Sequence, residues 1–157
     1  MSFIGILTEN KNEIYLKEEL GKQKWEDVFF LSENNIDNMH NIKFETFLLG
    51  KKVEKKQEII RDMAQKAKYF IINSDIKENL PLLDNLDLTL ITYGYNQKAT
   101  ITASSVEENK RMLCLQRSIK NVYQKEVEPQ EIEIETKQEV SDDAVMEFAI
   151  LRLLYQK

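Results

Sequence analysis

The sequence is poor in the residues on which several common kinds of site depend. It has four glycines in 157 residues, too few for the glycine-rich phosphate loops of P-loop or dinucleotide-binding proteins. One cysteine and one histidine exclude an internal disulfide and a Cys/His zinc site. We therefore expect neither of those two nucleotide-dependent enzyme classes, no bound metal, and a reducing compartment.

The sequence also has no long apolar run, and we expect no targeting leader. No apolar stretch approaches the roughly 20 residues that cross a bilayer. No basic segment followed by an apolar one stands at the start of the sequence. These two features predict a cytoplasmic protein that does not enter a membrane.

Basic charge is not in excess either, because the formal net charge is −5. Residues 1–70 carry 12 basic and 12 acidic side chains, so the whole acidic excess lies in residues 71–157. It is densest in segment 126–143, where Lys137 is the one basic residue among Glu126, Glu128, Glu131, Glu133, Glu135, Glu139, Asp142 and Asp143. Such a segment repels phosphate backbones, so we do not expect a nucleic-acid partner.

What is present is enough apolar sequence for a folded core. Apolar residues make up 42% of the chain and charged residues 31%, a balance typical of globular proteins. The length is that of one domain. We therefore expect residues 1–157 to form a single α/β domain.

Short apolar runs alternate with helical patterns in residues 1–95. The runs at 3–7, 28–31, 44–49, 69–72 and 88–93 predict strands, and the pattern at 51–68 predicts an amphipathic helix. A shorter helix is expected at 76–83. Continuous apolar strands that alternate with helices indicate a parallel sheet covered on both faces.

The pattern changes in residues 96–157. Segments 99–103, 111–119 and 127–135 are rich in β-forming residues, with a polar loop at 104–110 and no room for crossover helices. Ser141 can cap a last helix, whose body at 144–155 is apolar except for Glu147 and Arg152. The sequence therefore predicts a Rossmann-like three-layer sandwich with a mostly parallel sheet, followed by a small antiparallel β portion and a C-terminal helix.

Polar residues follow several of the predicted parallel strands. Ligands of open α/β sheets bind at the carboxyl ends of the strands, where the strand order reverses. This rule selects as candidate ligand-binding residues Thr8, Asn10, Asn73, Asp75, Tyr93, Asn96 and Lys98. The alternative interpretation is that they are ordinary turn formers, since Asn, Asp and Gly are residues that turns need. Separately, Lys110, Arg111 and Arg117 could offer a small anion site. The alternative is that these loop and edge-strand cations only keep the sheet edge soluble.

The apolar surface of the C-terminal helix is too wide for a half-buried helix. A helix that is apolar nearly all round is buried on several sides, either in its own domain or against another subunit. Core burial is one interpretation. The other is a homodimer interface with Phe148 and Leu151 as its candidate residues.

Three segments of the second half follow one another in an informative order: YFIINSD at 69–75, LITYG at 90–94 and SDDAVMEFA at 141–149. In this order, residues 60–155 resemble the second half of the central ATPase domain of Mur ligases. By resemblance, Asn73 and Asp75 would face the adenine of a nucleotide. The chain is also similar to small Mur-ligase-like proteins of Firmicutes, a resemblance that implies no particular activity.

The chain departs from the Mur ligase pattern at the motifs that carry the family's catalytic chemistry. It has no Gly-Lys-Thr/Ser loop to hold phosphates and no Gly-x-His-Asn before the last helix. We therefore expect a non-catalytic binding or interaction module with an unidentified protein partner or a second copy of itself, and without a cofactor. The alternative is a small-ligand or nucleotide-binding protein, or an enzyme, that uses the cluster at the strand ends.

Overall fold

The five predicted strands of the first part form the parallel portion of one large sheet. The computed structural model describes residues 2–86 and 88–157. The parallel strands are β1 (Ile4–Thr8), β2 (Val28–Phe30), β3 (Thr46–Gly50), β4 (Tyr69–Asn73) and β5 (Thr89–Tyr93). Every residue of β1, β3 and β4 is buried, as expected for strands covered on both faces.

The second part of the chain extends the same sheet at the β5 edge. It contributes β6 (Ile101–Glu107), β7 (Lys110–Leu115) and β10 (Gln130–Glu135), while β8 (Ile119–Lys120) and β9 (Glu126–Val127) pair separately as a small antiparallel ribbon. The order across the large sheet is β10-β7-β6-β5-β4-β3-β1-β2. Strand β6 meets β5 in parallel through the single pair Tyr93 and Ile101, and β6, β7 and β10 are antiparallel.

Helices cover the two faces of the parallel strands. Helix α1 (Asn10–Lys22) and helix α4 (Asp142–Leu154) pack on one face, with Leu16, Leu48 and Leu151 in the core between them and the sheet. On the other face lie α2 (Ile36–Met39), α3 (Gln57–Lys66) and a 3₁₀ helix (Lys77–Leu83). The structure is therefore an α/β sandwich of the Rossmann-like kind that the sequence predicts.

The structure differs from the predicted elements at the helix 51–68 and at the loop 104–110. Of the predicted helix only Gln57–Lys66 is helical, because Lys56, with a left-handed φ of 65°, stands directly before its first turn. The second difference lies in the β6–β7 hairpin. Strand β6 continues to Glu107, and the chain turns sharply before β7 begins at Lys110. A register shift between Ala103 and Ser105 lets the strand bend and stay paired with β7 although its outer residues are polar. The predicted loop is thus the end of a hairpin strand and its turn.

Helix α4 is buried on several sides, and the sequence predicts this correctly. Phe148 is 3% exposed and Leu151 is fully buried, both within the core of the chain itself. The ring of Phe148 meets Tyr15 of α1 edge to face at 6.1 Å. The prediction that Phe148 and Leu151 form a dimer interface is therefore wrong, because the sheet and α1 already cover them.

Candidate functional site

The carboxyl ends of β1, β3, β4 and β5 lie side by side and carry the predicted polar residues. Thr8, Gly50, Asn73 and Tyr93 are the last residues of these four strands. The chain order reverses at β1, which has β2 on one side and β3 on the other. This is the place where doubly wound sheets bind their ligands.

A side chain from α4 lies buried at the ends of β1, β3 and β5. Glu147 is completely buried. Its carboxyl group lies 2.6 Å from the Tyr93 hydroxyl, 2.9 and 3.1 Å from Thr8 Oγ1, and 3.3 Å from Asn12 Nδ2, which donates to it. We call Thr8, Asn12, Tyr93 and Glu147 the buried tetrad.

Gly50 makes room for the buried tetrad. A Cβ atom at this position would lie 2.6 Å from Glu147 Oε2 and 2.7 Å from the Tyr93 hydroxyl, and closer still to Thr8 Oγ1. Any larger residue at the end of β3 would therefore have to displace the carboxyl group. The space that a side chain at the end of β3 would take is occupied by the buried tetrad instead.

Burial strongly favours the neutral form of the Glu147 carboxyl. It raises the pKa of Glu147 to about 8, an effect that nearby Asp143 reinforces and that hydrogen bonds from Tyr93, Thr8 and Asn12 oppose. At neutral pH the group is mostly protonated. Its O–H can then donate to Thr8 Oγ1 while the other oxygen accepts from Tyr93. Burial also raises the pKa of Tyr93 well above its usual value, so the phenol stays neutral.

A second group of polar side chains lies in the turns that follow β4 and β5, next to the tetrad. Asn73 Oδ1 accepts from the backbone N–H of Asp75 at 2.9 Å. Asp75 in turn accepts from the Tyr95 N–H at 2.7 Å and from Asn96 Nδ2 at 2.9 Å. The carboxyl group also lies against Gly94, whose φ of 150° suits a residue without Cβ. These side chains hold the β4 and β5 turns together.

The N-terminus of α4 adds three more polar groups at this edge. The Ser141 hydroxyl caps the helix by accepting from the Ala144 N–H at 3.1 Å, and it donates to Asn12 Oδ1 at 2.7 Å. Asp143 accepts from Asn73 at 3.4 Å. Burial, then the nearby carboxylates of Asp75 and Asp142, raise the pKa of Asp143. The edge is thus acidic and tightly hydrogen-bonded.

Arg111 is not part of an anion site. Its side chain is 2% exposed, its Nε donates to Asp142 at 2.8 Å, and its terminal nitrogens donate to backbone carbonyls of Glu107, Lys110, Gln138 and Val140. The guanidinium therefore ties the β6–β7 hairpin to the start of α4. The prediction of an anion site that includes Arg111 is wrong, because these groups already use its donors.

The predicted candidates divide into three sets. Thr8 and Tyr93 join the buried tetrad, and Asn73, Asp75 and Asn96 join the turn network. Asn10 and Lys98 are exposed, and the Lys98 N–H donates to Asn96 Oδ1 at 3.0 Å. Five of the seven candidates therefore lie in one connected region, where they bond to one another and to the backbone.

Sequence reasoning missed Glu147 and Asn12, which organise the region. One signal was available for Glu147, since a carboxylate in the middle of an otherwise apolar helix must have partners if it is buried. No comparable signal identifies Asn12, which lies on a helix with an ordinary polar composition. Its role depends on α1 and α4 lying next to each other.

Across residues 2–86 and 88–157, no group of three or more His, Cys, Asp or Glu side chains could hold a metal ion. In the same residues, no helix is both long enough and apolar enough to cross a membrane. No protein-family model matches the chain, and no curated protein does.

Proposed function

We propose that the chain is a non-catalytic binding or interaction module. The observation that carries this proposal is the Glu147 carboxyl group, which lies buried and hydrogen-bonded at the strand ends, where a sheet of this strand order would receive a substrate. A site closed by a side chain from its own C-terminal helix gives a substrate no access to the strand ends. The four scattered glycines also provide no phosphate loop.

The burial and the hydrogen bonds of the polar side chains at the strand ends support the same proposal. A catalytic hydroxyl or carboxylate needs to reach a substrate, and in active sites it is commonly within about 3 Å of the reacting group. Thr8 and Tyr93 instead point at Glu147, and both are buried. Their hydrogen bonds stabilise the fold.

The Mur-ligase-like interpretation of the second half remains part of the proposal. By resemblance, Asn73 would face a nucleotide. Here Asn73 is 3% exposed and bonds to Asp143 and to the Asp75 N–H. A degenerate Mur-ligase-like domain that keeps the turn at 73–75 and has lost the phosphate loop would show both the resemblance and the buried Asn73.

A second candidate function is ligand binding at the carboxyl edge. It is favoured by the connection of Asn73, Asp75 and Asn96 in one network whose outer members are partly exposed. A ligand there would replace hydrogen bonds that the turn now makes. The two candidates differ in whether Asn73 and Asp75 touch the ligand.

Phosphate release and thermal stability distinguish these functions. The protein is incubated with MgATP, with and without glutamate, and inorganic phosphate is measured; its melting temperature is then followed with ATP, ADP and UDP-sugars. We expect phosphate at the level of the blank. We also expect any stabilisation by a nucleotide to survive in Asn73→Ala and Asp75→Ala. The matched controls are Asn41→Ala and Asp84→Ala, at exposed positions.

Phosphate release that Asn73→Ala abolishes would contradict the non-catalytic proposal. Stabilisation lost in Asn73→Ala and Asp75→Ala but kept in the controls would establish the second candidate, because a ligand that prefers the native state raises its stability.

A further inference from the structure

Three adjoining cavities lie at the amino ends of the parallel strands, on the opposite edge of the sheet from the buried tetrad. One, of about 240 Å³, is walled by Trp25, Tyr123 and Tyr155. A second, of about 490 Å³, shares Trp25 and Tyr155 and adds Arg152. The third, of about 450 Å³, shares Ser2 with the first. We call the three together the amino-edge groove.

The aromatic walls of the groove are held in place. The Trp25 and Tyr155 rings meet edge to face at 5.4 Å. The Tyr155 hydroxyl is 2.7 Å from Thr46 Oγ1 and donates to Glu45 at 3.0 Å. Tyr123 is 49% exposed, and its N–H donates to Asn121 Oδ1 at 3.0 Å. The packed rings of Trp25 and Tyr155, beside the half-exposed Tyr123, suit a planar ligand that stacks.

The third cavity is lined by three lysines around one carboxylate. Lys43, Lys66 and Lys68 are exposed there, and Glu45 is partly buried among them. Lys66 also pairs with Asp62 at 2.9 Å, but both side chains are about half exposed, so the pair is weak. This concentration of positive charge on a chain of net charge −5 attracts an anion.

We propose that the amino-edge groove binds a nucleoside phosphate. The base lies against Trp25 and Tyr123, and the phosphates lie at Lys43, Lys66 and Lys68. Glu26 and Asp27 line the aromatic cavity, where their carboxylates can accept hydrogen bonds from an amino group of the base. The groove uses none of the carboxyl-edge residues, so this proposal is independent of the proposed function.

The test is isothermal titration calorimetry of the full chain with ADP. The triple variant Lys43→Ala, Lys66→Ala, Lys68→Ala removes the phosphate contacts, and Lys52→Ala, Lys55→Ala, Lys77→Ala makes the same change in net charge at exposed positions elsewhere. We expect saturable binding that weakens at least about tenfold in the first triple variant and less than about twofold in the second. Tyr123→Ala should weaken binding at least about fivefold, because one stacking contact is lost.

Two further ligands test the phosphate-binding and the base-binding parts of the groove separately. Pyrophosphate should bind more weakly than ADP, and Tyr123→Ala should not change its affinity. Adenosine should not respond to the lysine variants. Because Trp25 is the one tryptophan of the chain, its fluorescence should change along the same ADP titration.

Three results would overturn the proposal. One is no heat or fluorescence change with millimolar ADP. Another is an equal loss of binding in the two lysine variants, which would indicate net charge alone. The third is loss of binding in Asn73→Ala with none in Tyr123→Ala, which would move the ligand to the carboxyl edge and contradict the proposed function as well.

Discussion

Replacement of Glu147 by glutamine should remove much of the pH dependence of stability. In the folded chain the pKa of Glu147 is raised to about 8 from its usual 4.5, chiefly by burial. Between these two values the folded state holds a proton that the unfolded state has lost, so the free energy of unfolding falls as pH rises. Below about pH 4.5 both states are protonated, and above about pH 8 both have lost the proton.

The magnitude follows from the two pKa values. Each tenfold difference in proton affinity is worth about 1.4 kcal/mol, so this one group removes up to roughly 5 kcal/mol of stability between pH 4.5 and pH 8. Glutamine has the shape of the protonated acid. Its amide can donate to Thr8 Oγ1, and its carbonyl can accept from Tyr93 and Asn12, as the neutral carboxyl does.

The assay is urea unfolding of wild type and Glu147→Gln at several pH values from 5 to 9. We expect similar free energies of unfolding at pH 5, and a variant more stable than wild type by about 3 to 5 kcal/mol at pH 9. Asp143→Asn is measured beside it, because the pKa of Asp143 is also raised and this group adds a pH dependence of the same sign. Parallel curves for wild type and Glu147→Gln would refute the reasoning, since they would mean that Glu147 is ionised in the folded chain.

Three other substitutions test the packing around the site. Gly50→Ala should lower the free energy of unfolding by about 1 to 3 kcal/mol, because the added methyl group overpacks the buried tetrad. Gly21→Ala, which meets open space in α1, should be neutral or stabilising by up to about 1 kcal/mol. Equal effects of the two substitutions in urea unfolding would contradict this account of Gly50. Arg111→Met should lower the free energy of unfolding by about 3 to 5 kcal/mol, because it removes the cation that pairs with the Asp142 carboxylate and the donor to four backbone carbonyls. A loss below about 1 kcal/mol would be inconsistent with the pairing. Phe148→Asp should abolish the near-ultraviolet circular dichroism of the folded core; a folded variant of lower mass than wild type in light scattering would instead revive the dimer interface.

Much of the fold could be predicted because its strands are apolar throughout. Strands β1, β3 and β4 are buried on both faces, and this requirement is visible as continuous apolar runs. The buried C-terminal helix is visible for the same reason. The bend that extends β6 past Ala103 was not predictable, since polar residues in a hairpin strand resemble a loop.

The site was predictable only in part, because its partners are far apart in sequence. The rule for strand ends finds Thr8 and Tyr93. Glu147 is 139 residues from Thr8 and 54 from Tyr93, so their contact depends on how α4 packs. Local pattern cannot give such a contact. The burial of Arg111 likewise depends on four carbonyls from two segments, which sequence spacing does not bring together.

The most direct test of the closed carboxyl edge is a two-dimensional amide NMR titration of the protein with MgADP. The account predicts that the signals of Gly50, Asn73 and Gly94 stay in place up to millimolar ligand, because Glu147 and the turn network occupy that edge. Saturable movement of these three signals, abolished in Asn73→Ala, would contradict it by showing that a nucleotide enters the crevice.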